Sequence, residues 1–328
     1  MANQFGRLRS RLLTPSMNET KLSTRGFHVK SPEARERLET VGESFLTGYS
    51  YAAAASSTAD AEVGLETVPP EFRGFAYEGA AMGMAVRDGL PIGGSRHVER
   101  FLCGKASKHA YMAYVGVGWA MARVPRFRWS RMYTADPLLR WLVLDGYGFH
   151  QAYFRTDQYV RGQYQDPDFA WPGAKRSPYA NRVIDQGIGR AIWFVGGTDV
   201  ERITALLDSF SEERHADLYA GAALAATYAG GVGKAELQLF RERAGKHREW
   251  VAQGSAFAAT ARLEAGLGNE HTELATEVLC GITPEQAMNV CQESQPGPSA
   301  GDAGTPAYEV WRCRIAGRVA AGAEDRAE

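Results

Sequence analysis

Three acidic residues stand just ahead of glycines in small, apolar surroundings: Glu78-Gly79, Asp145-Gly146 and Asp185-Gln186-Gly187. On a helix, the residue before a buried glycine lies about 100° around from it, at the edge of the buried face. If those edges converge on a cavity, burial raises the pKa of Glu78, Asp145 and Asp185, and they become acid/base or binding groups. The plainer alternative makes them buried polar ties between helices. A second feature is a doubled Lys-His: Lys108–Ala120 (KHAYMAYVGVGWA) returns as Lys246–Ala258 (KHREWVAQGSAFA). Ser107 and Gly245 are suitable N-caps, which would place Lys108, His109, Lys246 and His247 in first helical turns. Cations are disfavoured there by the helix dipole, so breaking the rule twice suggests two pockets for a carboxylate or phosphate. In the plainer alternative each imidazole packs beside its helix and the lysine stays in solvent. His150 and Arg190 complete the ligand-binding candidates. Gln186 and Arg190 share a face at i, i+4, whereas His150 is too far around the helix to pair with Asp145.

Other chemistry is weakly supported. HExxH is absent and histidines do not cluster with acids, so the pattern points to no metal site. Gly230-Gly231-Val232-Gly233-Lys234 looks like part of a phosphate loop but lacks its full spacing, and no strand precedes it. It reads as a helix end followed by a turn, and Ile92–Ser95 is a second glycine-rich stretch. No GxSxG or cysteine-nucleophile signature occurs, and no cofactor is indicated.

The elements that must position these residues are helices. Ser31-Pro32-Glu33 is a strong helix start, with a capping serine and proline in the first turn. Helical patterns follow over 31–55, 70–86, 95–103, 108–123 and 137–154, then over 179–194, 199–210, 212–229, 234–244, 246–266, 270–280 and 283–293. Alternating Val/Ile/Thr runs are scarce, so the expected class is all-α. One glycine recurs in successive patterns: Gly48, Gly79, Gly116 and Gly146, then Gly187, Gly221, Gly254 and Gly281. Each interior glycine costs about 1 kcal/mol against alanine, which close helix–helix approach would offset. The expected architecture is helical-hairpin repeats in two pseudo-equivalent halves, a solenoid or closed α/α shell. Its segments are a basic arm (1–30), a first half (31–155), a connection (156–177), a second half (178–294), and a linker with a tail (295–328).

With 328 residues the chain can bury a large core, and its formal net charge of −1 gives no overall case for nucleic acid. Four cysteines without paired spacing fit a reduced, cytoplasmic setting. The arm carries Arg7, Arg9 and Arg11 with Leu8, Leu12 and Leu13, a composition able to touch an acidic membrane or simply to stay solvated. No apolar run is long enough for a signal peptide or a membrane span.

Four stretches, Arg73–Gly83 (RGFAYEGAAMG), Leu142–Phe154 (LVLDGYGFHQAYF), Asp185–Gly197 (DQGIGRAIWFVGG) and Tyr219–Gly231 (YAGAALAATYAGG), together resemble the UnbL-type family, proteins of unknown function encoded in enediyne biosynthetic clusters. The likeness runs from about residue 30 to 295. It implies an accessory role in making the enediyne core from the linear polyene released by the polyketide synthase, alongside a UnbV-like partner and a membrane-embedded UnbU-like one. The family brings no agreed catalytic residues. Tyr111, Tyr114, Trp119, Tyr147, Phe149, Trp193 and Phe194 are mostly core, with a minority available to line an apolar pocket for a polyene.

Overall fold

The computed structural model describes residues 4–90, 96–170, 179–297, 300–301 and 305–324. Among them the chain is helical with short 3₁₀ and π turns and contains no strand. It divides into two compact units, Met1–Gly26 with Glu39–Tyr147, and Phe27–Leu38 with Gly148–Glu328. The first unit holds α1 (Gln4–Leu13), α2 (Leu22–Arg25), most of α3 (Pro32–Ala54), α4 (Thr58–Leu65), α5 (Pro70–Gly89), α6 (His97–Leu102), α7 (Ala110–Met121) and the start of α8 (Leu142–Phe154). The second holds the start of α3, the rest of α8, α9 (Tyr179–Val195), α10 (Val200–Asp208), α11 (Glu212–Tyr228), α12 (Lys234–Arg243), α13 (Arg248–Glu264), α14 (Glu270–Cys280), α15 (Pro284–Glu293) and α16 (Ala307–Glu324).

Local signals explain the helix ends. Ser31 Oγ accepts from Ala34 N at the head of α3, and Asn269 caps α14 through Thr272 N. Thr283 and Gln286 form a capping box ahead of α15. Lys108 and His109 do not start α7, nor do Lys246 and His247 start α13. Each pair ends a 3₁₀ turn (Lys105–His109 and Gly245–His247), and the α-helix follows. The tight turn lets the histidine ring fold back against an earlier inner helix, α5 for His109 and α11 for His247.

Within each unit, inner helices are buried all round and joined through outer ones. In α7 every residue from Tyr111 to Met121 is buried. In outer α10 the buried positions are Val200, Ile203, Thr204 and Leu207, one stripe at helical spacing. In the first unit Phe45 meets Gly79, Ala52 meets Gly83, and the Ala52 and Ala55 carbonyls meet Arg87. These contacts advance together along both chains, so α3 and α5 run parallel. In the second unit Ala220 meets Gly254, Thr227 meets Ser255, and the Tyr228 carbonyl meets Arg262, so α11 and α13 are parallel too. Parallel neighbours require an intervening return helix, which α4, α6, α10 and α12 supply.

The glycines set how close the inner helices come. A Cβ on Gly48 would strike the Ala76 carbonyl, and one on Gly79 the Phe45 carbonyl. Gly116, Gly146, Gly221 and Gly254 meet the carbonyls of Glu78, Val115, Gln186 and Ala220 in the same way. One expected seam position is corrected: Gly281 ends α14 in a left-handed conformation at φ +71°. In α9 a close approach falls on Gly189, against the Leu218 carbonyl. Gly118 and Gly148 also make such contacts, against Val143 and Ile184. An inner helix has two inner neighbours, and residues two apart point about 200° apart, so Gly116 and Gly118 serve opposite sides of α7. Helices this close leave no space for a ligand at those points.

Candidate functional site

Each doubled histidine folds onto a tyrosine of an inner helix. In the first unit the His109 ring stacks on Tyr77 with centroids 3.8 Å apart, Phe101 stacks beside Tyr77 at 5.8 Å, and the Tyr77 hydroxyl donates to Glu66 Oε1 at 2.7 Å. In the second unit His247 stacks on Tyr219 at 5.6 Å, Phe240 at 5.9 Å, and the Tyr219 hydroxyl donates to Asp208 Oδ1 at 2.7 Å. The same four residue classes serve both clusters. Burial, reinforced by the carboxylate, holds both tyrosine hydroxyls protonated. Lys108 and Lys246 are exposed, and Lys246 pairs with Glu212.

Burial holds both histidines neutral, His109 down to about 4, with His247 lowered as well. A neutral imidazole attracts an anion poorly, so these clusters fit helix-to-helix packing better than anion capture. His109 also predicts a pH dependence. Its folded pKa lies below the unfolded 6.5, so the folded state binds fewer protons between the two values. Its contribution is fully present above about pH 6.5 and is lost as the pH falls toward 4, by up to about 3 kcal/mol. Denaturation across that window should show His109→Phe to be less acid-sensitive than the wild type; equal slopes would refute the assignment.

The acidic candidates are all buried, but Glu78 and Asp145 belong to the first unit and Asp185 to the second. Glu78 Oε1 accepts from Trp119 Nε1 at 3.0 Å. Asp185 is gripped by Arg214 through two hydrogen bonds of 2.6 and 2.9 Å, and Gln165 donates a third at 3.0 Å. Burial lifts Asp185 to about 6 against the pull of Arg214. So engaged, it is a structural anion more than a free base. His150 lies 4.7 Å from the Phe154 ring, Arg190 sits over Phe149 at 5.0 Å, and Gln186 Oε1 accepts from the Tyr308 hydroxyl at 3.1 Å.

Asp185 borders a polar core that sequence reasoning missed. Fully buried Arg312 on α16 reaches Asp217 at 2.6 Å, Glu309 at 3.1 Å and Gln253 Oε1 at 3.1 Å. Arg182 pairs with the same two carboxylates, each at 2.8 Å, and the Tyr179 hydroxyl donates to Glu309 at 2.7 Å. Arg182, Arg214 and Arg312 thus match Asp185, Asp217 and Glu309 in charge. The apolar spacing of Tyr308, Trp311, Ile315 and Val319 was the available signal, because it fixes the buried face of α16.

Open space lies elsewhere, at the end of the first unit where α5 finishes. A cleft of about 660 Å³ is lined by Asp88, Arg96, Glu99 and the segment Arg131–Ala135. Asp88 Oδ1 accepts from His97 N at 2.8 Å and from its Nδ1 at 2.7 Å, while Oδ2 accepts from Val98 N at 3.1 Å. The carboxylate therefore caps α6 and places the His97 proton on Nδ1, leaving Nε2 with its lone pair. Burial lowers the His97 pKa, which favours the neutral, basic form. Arg96 holds a left-handed backbone at φ +68° and pairs with Glu99. Arg131 forms no ion pair among the described residues. The glycine-rich stretch 92–95 lies outside the described residues. In the other glycine-rich stretch, the Gly230 and Gly231 carbonyls accept from Trp193 Nε1 and Thr198 Oγ1, each at 3.0 Å, as in a structural turn.

Among the described residues no group of three His, Cys, Asp or Glu side chains could hold a metal ion, and no helix is long and apolar enough to cross a membrane. The model of the family described as a protein of unknown function (DUF1702) matches residues 4–319. The chain belongs to that family. The match takes in α1 and most of α16, beyond the 30–295 span of the sequence resemblance. No curated protein and no solved structure matches the chain.

Proposed function

We propose that this chain is an accessory protein of enediyne biosynthesis that binds, or helps convert, the linear polyene made by the polyketide synthase. The reading rests on the four resembling stretches together with the cleft at the end of α5. Its volume of about 660 Å³ falls in the range of small-molecule sites. Arg131 is a cation available to a carboxyl or other oxygenated chain end, and Tyr133 and Met132 offer apolar contact beside it. If the protein acts in catalysis, cleft-lining Asp88 with the buried His97 behind it is a better acid/base candidate than Asp185, which Arg214 occupies. The UnbL-type resemblance adds UnbV-like and UnbU-like partners and a place on the cytoplasmic side.

Titrating a linear conjugated polyene carboxylate into the purified chain, followed by its absorbance, tests this reading. Saturable binding is expected, weakened about tenfold by Arg131→Ala or Tyr133→Ala. An unchanged spectrum combined with co-purification of the partner proteins would favour the alternative, a helical scaffold without a small-molecule site.

A further inference from the structure

Two exposed apolar and basic segments meet at one end of the first unit. On α1, Leu8 and Leu12 are 56% and 76% exposed, four residues apart on one face, and Arg11 is exposed beside them. Between α7 and α8, the 3₁₀ turn Arg126–Arg131 presents Phe127 at 77% exposure, with exposed Arg123 and Arg126 and partly exposed Arg128 around it. Residues 1–18 and 122–132 contain no acidic residue.

Contacts within the unit bring the two segments to the same end. Arg9 anchors α1 by donating to the Ala53 and Ala55 carbonyls at 2.5 and 2.6 Å. Arg87, near the end of α5, donates to the Ala52 and Ala55 carbonyls at the same terminus of α3. Two residues further, Gly89 abuts Val124 and Met132, which flank the Phe127 turn. Arg9 and Arg87 serve the carbonyl ends of α3, as cations do at helix C-termini. Arg11, Arg123 and Arg128 make no ion pair among the described residues. Exposed Leu, Leu and Phe side chains ringed by arginines, with no acid in either segment, match the chemistry of a bilayer interface, where apolar groups enter below the headgroups and guanidinium groups meet phosphates.

We infer that this end of the first unit, bearing Leu8, Leu12, Phe127 and their arginines, docks on an anionic lipid membrane. Contact would be direct, independent of any membrane-embedded partner, and no polyene is needed for it.

Co-sedimentation of the full chain with vesicles tests the inference without substrate, so its failure is separable from failure of the polyene reading. Phosphatidylcholine vesicles containing phosphatidylglycerol should pellet the protein, and pure phosphatidylcholine vesicles should not. Phe127→Ser with Leu12→Ser, and separately Arg126→Gln with Arg128→Gln, should each lower binding about tenfold. Circular dichroism should show each variant folded, since these side chains are not part of the core. High salt should release the protein. No pelleting, equal pelleting with neutral vesicles, or folded variants that bind like wild type would overturn the inference. So would a single-stranded oligonucleotide that binds more tightly than the vesicles and displaces them.

Discussion

Gly254→Val is expected to cost about 3 kcal/mol or more of folding stability, because any Cβ there runs into the Ala220 carbonyl of α11. The obstacle is backbone, which cannot rotate aside as a side chain would. Relief requires α11 and α13 to separate, and separation uncovers the apolar surface on both. Gly317 on α16 provides the opposite case. It is exposed, and a Cβ added to it would meet nothing within 4 Å. Gly317→Ala should therefore gain up to about 1 kcal/mol from helix propensity. Urea denaturation of the two variants decides the matter, since equal midpoints would mean that the Gly254 contact is not what sets the helix spacing.

Arg312→Met is the second large effect. Arg312 is wholly buried and contacts Asp217 and Glu309, so the apolar replacement leaves those carboxylates with Arg182, which is partly exposed. Breaking a buried pair from one side typically costs about 3–5 kcal/mol, because the stranded charge stays out of water. Removing Asp217 as well should restore part of the loss, and a double-mutant cycle with Asp217→Asn measures how much. Additive single effects would show that the two residues do not act as a pair.

Much of the fold was legible because the chain marks its helices openly. Ser31-Pro32, Asn269 and Thr283-Pro284 fix starts by capping, and the buried runs of α7 and α13 are long and apolar. Gly48, Gly79, Gly116, Gly146, Gly221 and Gly254 stood out as costly residues in helix interiors. Gly118, Gly148 and Gly189 were less visible because the sequence pattern assigns one close face to each helix, whereas packing gives inner helices two. The histidines were conspicuous, but which ring a histidine meets depends on the 3₁₀ turn before it and on a tyrosine about 30 residues away. Long-range pairing also hid Arg312, whose partner Asp217 lies 95 positions earlier. The Asp88–His97 pair was obscured for a different reason: the two residues flank a Gly/Pro stretch that reads only as a helix stop.

The position of α16 bears on the order in which the chain can mature during synthesis. Asp217 emerges from the ribosome long before Arg312, and Trp311, Tyr308 and Ile315 fill the same unit. Until α16 arrives, α13 lacks its cover and a buried carboxylate lacks one of its counter-ions. The second unit should therefore complete its folding late in translation or after it, while the first, whose residues end at Tyr147, can consolidate early. The nascent second unit is then a natural client for chaperones that recognise exposed apolar helix faces.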